Sequence, residues 1–127
     1  MSLMNRLGNT NNEYQTSAKR VLCVCSAGML RSPTLANVLH EKFGFNTRAC
    51  GYVKEFALVV LDQVLVKWAD EVVFVEEDVK RGAFQLYGEW FNKYEQELIT
   101  LNLPDVYNWN SPELRAACLE QYLAAIS

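Results

Sequence analysis

Short apolar runs alternate along this chain with longer segments whose apolar residues recur at helical spacing. The short runs are rich in β-branched residues and predict buried strands at residues 20–24, 46–52, 71–75 and 99–103. The longer segments predict helices at residues 33–43, 55–69, 77 to about 90, and 111–126. Strand and helix therefore alternate from residue 20 to the end of the chain.

This alternation predicts an α/β fold: a small, open, four-stranded parallel sheet with helices on both faces. Parallel neighbours need a crossover connection, and such crossovers are right-handed. In sheets of this kind, ligands bind beyond the carboxyl ends of the strands. The segments that leave those ends carry a thiol and several carboxyl groups: Cys25, Glu76, Glu77, Asp78 and Asp105.

Composition limits the function classes that this fold can serve. The chain has 127 residues, of which 50% are hydrophobic and 21% charged, and its formal net charge is −3. We expect one globular domain at residues 19–127, after a polar, disordered tail at residues 1–18. The mildly acidic balance argues against nucleic-acid and membrane partners. Neither a long apolar run nor a secretory signal is seen, so we expect a cytoplasmic location.

The segment after the first predicted strand has the spacing of a phosphate-binding loop. It reads Cys25-Ser26-Ala27-Gly28-Met29-Leu30-Arg31-Ser32, with five residues between the cysteine and the arginine. Five residues can curl until their backbone N–H groups converge on one anion, with a thiolate beneath it and a guanidinium at its side. We therefore predict that phosphate is bound by Ser26, Ala27, Gly28, Met29, Leu30 and Arg31.

The same segment carries features that activate a thiol as a nucleophile. The reactive form is the thiolate, which N–H donors, a cation and a helix N-terminus all favour. Pro33 at the first helical position leaves Ser32 as the predicted N-cap and directs the helix dipole at the loop. The Ser32 hydroxyl can also donate to the Cys25 sulfur. Cys25, Arg31 and Ser32 are therefore the predicted catalytic residues of the loop.

The remaining cysteines predict neither disulfides nor a metal site. Cys23, Cys50 and Cys118 are scattered, and Cys23 and Cys50 lie in apolar runs, so we expect reduced, buried side chains. A closed zinc site needs four clustered ligands, and the single histidine, His40, lies in a helical pattern. We expect no metal ion and no cofactor.

From Cys25 to Pro33 the loop resembles the signature of the low-molecular-weight protein tyrosine phosphatases: cysteine, five residues, arginine, serine or threonine, then proline. The resemblance extends in element order from about residue 20 onward. It implies a metal-independent phosphatase that forms a phosphocysteine intermediate and acts on a phosphorylated protein or a small aryl phosphate. It also implies that an aspartate after the fourth strand is the general acid, and Asp105 occupies that place.

Other residues fit or depart from this family pattern. Tyr107 and Trp109 follow the predicted acid and are candidates for the walls of an aromatic-lined substrate cleft. Glu77 and Asp78 are alternative acids. Ala27 and Gly28 stand where the family commonly has glycine and asparagine, and Leu30 replaces a second cysteine. Val106 replaces the proline that usually follows the acid.

Two further functions share part of this loop. Sugar-specific B components of the bacterial phosphotransferase system resemble Cys25 to Met29, and they carry phosphate on that cysteine without hydrolysing it. Their loop typically lacks the arginine, so Arg31, Ser32 and Asp105 favour hydrolysis. Arsenate reductases related to the phosphatases use a relay of downstream cysteines, whereas Cys50 and Cys118 form no close pair in the sequence.

Overall fold

The computed structural model describes residues 18–26, 31–55, 57, 59–94, 96–104 and 106–127. Within these residues, strands and helices alternate as predicted. The strands are β1 (Arg20–Cys25), β2 (Asn46–Gly51), β3 (Glu71–Phe74) and β4 (Glu97–Thr100). The helices are α1 (Arg31–Phe43), α2 (Gln63–Trp68), α3 (Glu77–Tyr94) and α4 (Pro112–Ile126). The predicted tail lies outside the described residues except for Ala18.

The strands form one parallel sheet in the order β2-β1-β3-β4. The central strand β1 is buried from Val21 to Cys25 and pairs with β2 on one side and β3 on the other. Val24, near its carboxyl end, is in register with Cys50 of β2 and Phe74 of β3. The predicted four-stranded parallel sheet is confirmed, and Cys25 ends its central strand.

Helices cover both faces of the sheet. On one face, the Tyr122 hydroxyl of α4 donates to Glu71 of β3 over 2.8 Å. Phe74, three residues further along β3, packs against Phe84 and Phe91 of α3. Because side chains alternate between the faces of a strand, positions 71 and 74 point to opposite faces. The helices α3 and α4 therefore lie on opposite sides of the sheet.

The prediction of a helix at residues 55–69 is wrong for the first half of that range. The chain instead runs beside β2 before α2 begins: Gly51 N–H donates to the Val59 carbonyl over 2.9 Å, and Leu61 N–H donates to the Gly51 carbonyl over 2.8 Å. Val59 and Leu61 are buried at alternate positions, which is the period of an extended chain. Asp62 then caps α2 by accepting from Leu65 N–H at 2.8 Å.

Smaller shifts occur at the ends of other elements. The helix α1 begins at Arg31, so Ser32 lies in its first turn. The prediction that Ser32 is the N-cap of this helix is therefore wrong. The strand β4 begins and ends earlier than predicted, although Leu101 N–H still donates to the Phe74 carbonyl over 2.8 Å. Among the described residues, no helix combines the length and the apolar character needed to cross a membrane.

Candidate active site

Cys25 lies where β1 ends and the predicted phosphate loop begins. Its side chain is almost fully buried, with 3% exposure. The strand end is held by the segment that follows β2: Tyr52 N–H donates to the Cys25 carbonyl over 3.1 Å, and Val53 N–H donates to the Ser26 carbonyl over 2.9 Å. The Tyr52 ring lies against Gly82 of α3, where a larger residue would overlap it. The backbone that presents the thiol is therefore supported from β2 and α3.

The first turn of α1 brings a hydroxyl to the Cys25 sulfur. Ser32 Oγ lies 3.1 Å from Cys25 Sγ and 3.3 Å from the Cys50 carbonyl oxygen, and Ser32 is fully buried. When Cys25 carries its proton, the thiol can donate to Ser32 while the hydroxyl donates to the carbonyl. When Cys25 is ionised, the thiolate has no hydrogen to donate, so the Ser32 hydroxyl donates to the sulfur. This contact can stabilise a thiolate.

Arg31 is a buried cation with two acceptors on one nitrogen. The residue has 5% exposure, and its Nη1 donates to Glu76 Oε1 and to the Leu103 carbonyl oxygen, each over 2.7 Å. Glu76 follows β3 and Leu103 follows β4, so the guanidinium joins the segments at the carboxyl ends of two strands. A planar guanidinium with one nitrogen held in this way has a fixed orientation.

The bracing role of Glu76 was not predicted from the sequence. Sequence reasoning placed Glu76 at the correct edge of the sheet but considered the acids there only as possible proton donors. A buried arginine needs a nearby carboxylate. Glu76 is the first acid after β3, the strand next to β1, and this position was the sequence signal for its pairing with Arg31. The next two acids are exposed: Glu77 lies at the surface, and Asp78 forms an ion pair with Arg81.

Several predicted site residues lie outside the described residues. They are the central part of the phosphate loop, Ala27 to Leu30, and the predicted acid Asp105. The predicted cleft residues near Asp105 are described: Tyr107 is half-buried, and Trp109 is 57% exposed. The segment that carries them lies at the carboxyl end of β4, the edge of the sheet on which Cys25 also lies.

The other three cysteines lie in surroundings that disfavour the thiolate form. All four cysteines of the chain are described, and none of them forms a disulfide. Burial raises the pKa of the Cys23 and Cys50 thiols well above their ordinary value, and burial raises the pKa of Cys118 to about 12. These three thiols therefore stay protonated at neutral pH. Among the described residues, no group of three or more His, Cys, Asp or Glu side chains could hold a metal ion.

Comparison with solved structures finds proteins that share the fold of this chain. No protein-family model and no curated protein sequence matches the chain. YwlE arginine phosphatase from Geobacillus stearothermophilus is 18% identical with a TM-score of 0.62, and the match covers 85% of this chain and 88% of that one. Wzb from Vibrio vulnificus, in complex with benzylphosphonate, is 17% identical with a TM-score of 0.61, covering 85% and 94%.

A third structure has a modified active site. It is a YwlE arginine phosphatase mutant in which a serine replaces a cysteine and the active-site serine is phosphorylated. It is 17% identical with a TM-score of 0.61, and the match covers 80% of this chain and 90% of that one. The chain therefore has the α/β fold of YwlE and Wzb, which is the fold that the resemblance of its loop implied.

Proposed function

We propose that this protein is a metal-independent phosphatase that hydrolyses phosphotyrosine or other aryl phosphate monoesters through a phosphocysteine intermediate. The observation that carries the proposal is the arrangement around Cys25. A buried thiol ends the central strand, a hydroxyl lies 3.1 Å from its sulfur, and the arginine of the same loop is braced at 2.7 Å by two acceptors. This set supplies a nucleophile and a cation at one edge of the sheet.

The first step transfers the phosphoryl group to the enzyme. The Cys25 thiolate attacks phosphorus in line with the ester oxygen, so an S–P bond forms as the P–O bond breaks. Arg31 and the loop N–H groups bind the three equatorial oxygens and stabilise their charge. Asp105 donates its proton to the departing phenolate oxygen. The products of this step are a phenol and the phosphocysteine.

The second step releases inorganic phosphate. Asp105, now ionised, accepts a proton from a water molecule whose oxygen attacks phosphorus. The S–P bond breaks and its electron pair returns to the Cys25 sulfur. The Ser32 hydroxyl donates to the thiolate that forms, which makes the sulfur a better leaving group. The enzyme returns to its starting state with Asp105 protonated and Cys25 ionised.

The substrate would be a phosphorylated protein or a small aryl phosphate. Tyr107 and Trp109 follow the proposed acid and would form aromatic walls for a phenyl ring. YwlE, which shares the fold, is an arginine phosphatase, so phosphoarginine belongs in the same substrate panel. Four cysteines without a disulfide fit a reducing compartment such as the cytoplasm.

Hydrolysis is favoured over the carrier function by Arg31. A carrier must hold its phosphocysteine without activating water, whereas a fixed guanidinium lowers the barrier to attack on phosphorus. In the YwlE mutant, a serine replaces a cysteine, and the active-site serine carries a phosphoryl group. A phosphoryl group on Cys25 is the corresponding intermediate that we propose for this protein.

The test is an assay of the purified protein on phosphotyrosine peptide, aryl phosphates and phosphoarginine peptide, with a chelator present. We expect turnover of aryl phosphates by the parent and near-complete loss in Cys25→Ser and Arg31→Ala. In Asp105→Asn the loss should shrink as the leaving group becomes more acidic. A stable phosphocysteine without turnover would overturn the phosphatase proposal in favour of a carrier, and activity that requires a metal would contradict both.

A further inference from the structure

The first turn of α1 holds both ends of the segment that joins β4 to α4. At the beginning of the segment, the Leu103 carbonyl accepts from Arg31 Nη1 over 2.7 Å. At its end, Asn110 N–H donates to Thr34 Oγ1 over 3.0 Å. Arg31 and Thr34 are three residues apart on α1, so they lie on the same face, about 4.5 Å apart along the helix axis. One turn of helix therefore holds this segment near both of its ends.

The contact at Thr34 is built into the fold. Thr34 is fully buried although its side chain is polar. Asn110 is held a second time, because its Oδ1 accepts from Arg115 Nη1 over 2.9 Å. Arg115 also pairs with Glu41 of α1, so α4 is tied to α1 through the same arginine.

The backbone at Asn110 also marks it as a fixed point. Its φ of 53° lies in the left-handed region, which asparagine tolerates better than most residues. The chain turns there into α4, whose cap is the adjacent Ser111, with Oγ accepting from Leu114 N–H at 3.2 Å. A strained turn that is held by hydrogen bonds from two helices has a defined position.

We infer that Thr34 is a positioning residue for the general acid. The inference rests on the proposed function, because the segment between the two anchors contains Asp105. What the structure provides is the anchoring of both flanks of that residue on the helix that follows the phosphate loop. A general acid must come within hydrogen-bond reach of the departing oxygen, and an error of about 1 Å in such placement can cost about 100-fold in rate. Arg31 serves both as a phosphate ligand and as the first anchor, and Thr34 supplies the second.

The experiment compares Thr34→Val with Thr34→Ser on aryl phosphates of graded leaving-group acidity. Valine has the shape of threonine without the hydroxyl, whereas serine keeps the acceptor for Asn110 N–H. We expect Thr34→Val to lower kcat/KM by about tenfold for phenyl phosphate and less than threefold for nitrophenyl phosphate, because only the poor leaving group depends on the acid. Thr34→Ser should restore most of the rate with phenyl phosphate.

A stability control and a structural readout complete the design. Ser111→Ala removes the cap of α4, one residue from Asn110, and should lower the melting temperature without a selective loss on phenyl phosphate. Amide hydrogen exchange should show faster exchange at Asn110 in Thr34→Val than in Thr34→Ser. Should Thr34→Val fail to fold, Arg115→Gln releases the side chain of Asn110 from α4 and should give the same selective loss.

The outcomes separate this inference from the proposed function. An active parent in which Thr34→Val loses the same factor on both substrates, or in which valine and serine behave alike, would overturn the inference alone. A parent that hydrolyses neither substrate would overturn the proposed function. The inference would fall with it, because a positioning residue for a general acid requires a general acid.

Discussion

Replacement of Glu76 tests whether the orientation of Arg31, and not merely its charge, supports catalysis. Glu76 Oε1 accepts from Arg31 Nη1 over 2.7 Å, and the Leu103 carbonyl accepts from the same nitrogen at the same distance. Glu76→Ala removes one of these two acceptors, and Glu76→Gln keeps an oxygen in its place but removes the negative charge. The Arg31 side chain is only 6% exposed, so bulk water replaces the lost acceptor poorly.

Two effects of opposite sign follow from the change. A hydrogen bond to a charged group contributes about 1.5 to 3 kcal/mol, and because the Glu76 side chain is 30% exposed, we take the lower end. A loss of about 1.4 kcal/mol is a factor of about ten in rate. Removal of a carboxylate also relieves its repulsion of the phosphate dianion, on the order of 1 kcal/mol in a wet site. The loss of orientation should win in Glu76→Ala, where the acceptor itself is gone.

Glu77→Gln is the matched control. It removes the same charge from the next residue, which is exposed in the first turn of α3. The net loss of about 0.5 kcal/mol predicts that kcat/KM on an aryl phosphate falls about twofold in Glu76→Ala. It should stay close to the parent value in Glu76→Gln, which keeps an acceptor for Arg31, and stay level or rise slightly in Glu77→Gln. Urea unfolding of each variant confirms that the folded protein is assayed. Full activity in Glu76→Ala, or a loss in Glu77→Gln as large as the loss in Glu76→Ala, would show that the bond from Arg31 to Glu76 does not support catalysis.

Three further changes test other parts of the structure. Ser32→Ala should lower kcat by about tenfold or more with little change in KM, because the hydroxyl 3.1 Å from Cys25 Sγ is lost; an unchanged kcat in steady-state assays would contradict its role. Gly82→Ala should destabilise the protein by about 1 kcal/mol in urea unfolding, because overlap of the new methyl group with the packed tyrosine ring outweighs the gain in helix propensity; a stabilised variant would show that the ring moves freely. Hydrogen bonds from Arg20 hold the pKa of Asp70 below its usual range, so its stabilisation is complete above about pH 4 and is lost as the pH falls through the lowered pKa. The melting temperature of the parent should therefore fall more steeply in acid than that of Asp70→Asn, and parallel curves would exclude this contribution.

The sheet could be predicted because its strands carry a strong local signal. The residues from Val72 to Val75 are a continuous apolar run, which is typical of a parallel strand buried on both faces. The segment before α2 was predicted wrongly for a related reason. Leu61 fits a helical stripe with Leu58 and an alternating pattern with Val59, and only the pairing of this segment with Gly51 of the neighbouring strand decides between the two. Such pairing depends on contacts between elements and has no local signature.

The candidate site could be predicted where its residues are neighbours in the sequence. Cys25, Arg31 and Ser32 lie within eight residues of one another, and their spacing suggested the phosphate loop directly. Glu76 and Thr34 could not be assigned their contacts in this way. Glu76 lies 45 residues from the arginine that it braces, and Thr34 meets a backbone N–H 76 residues away. Both contacts arise only when the carboxyl ends of the strands are brought together.

The proposed mechanism requires Cys25 to carry the phosphoryl group and then to release it to water. Rapid acid quenching of the protein during turnover of an aryl phosphate, followed by mass spectrometry of its peptides, tests this claim directly. We predict one phosphoryl group on the peptide that contains Cys25, formed within the first turnover and lost at the rate of phosphate release once substrate is exhausted. Turnover without any phosphate on Cys25, or a phosphocysteine that persists after the substrate is consumed, would exclude this mechanism.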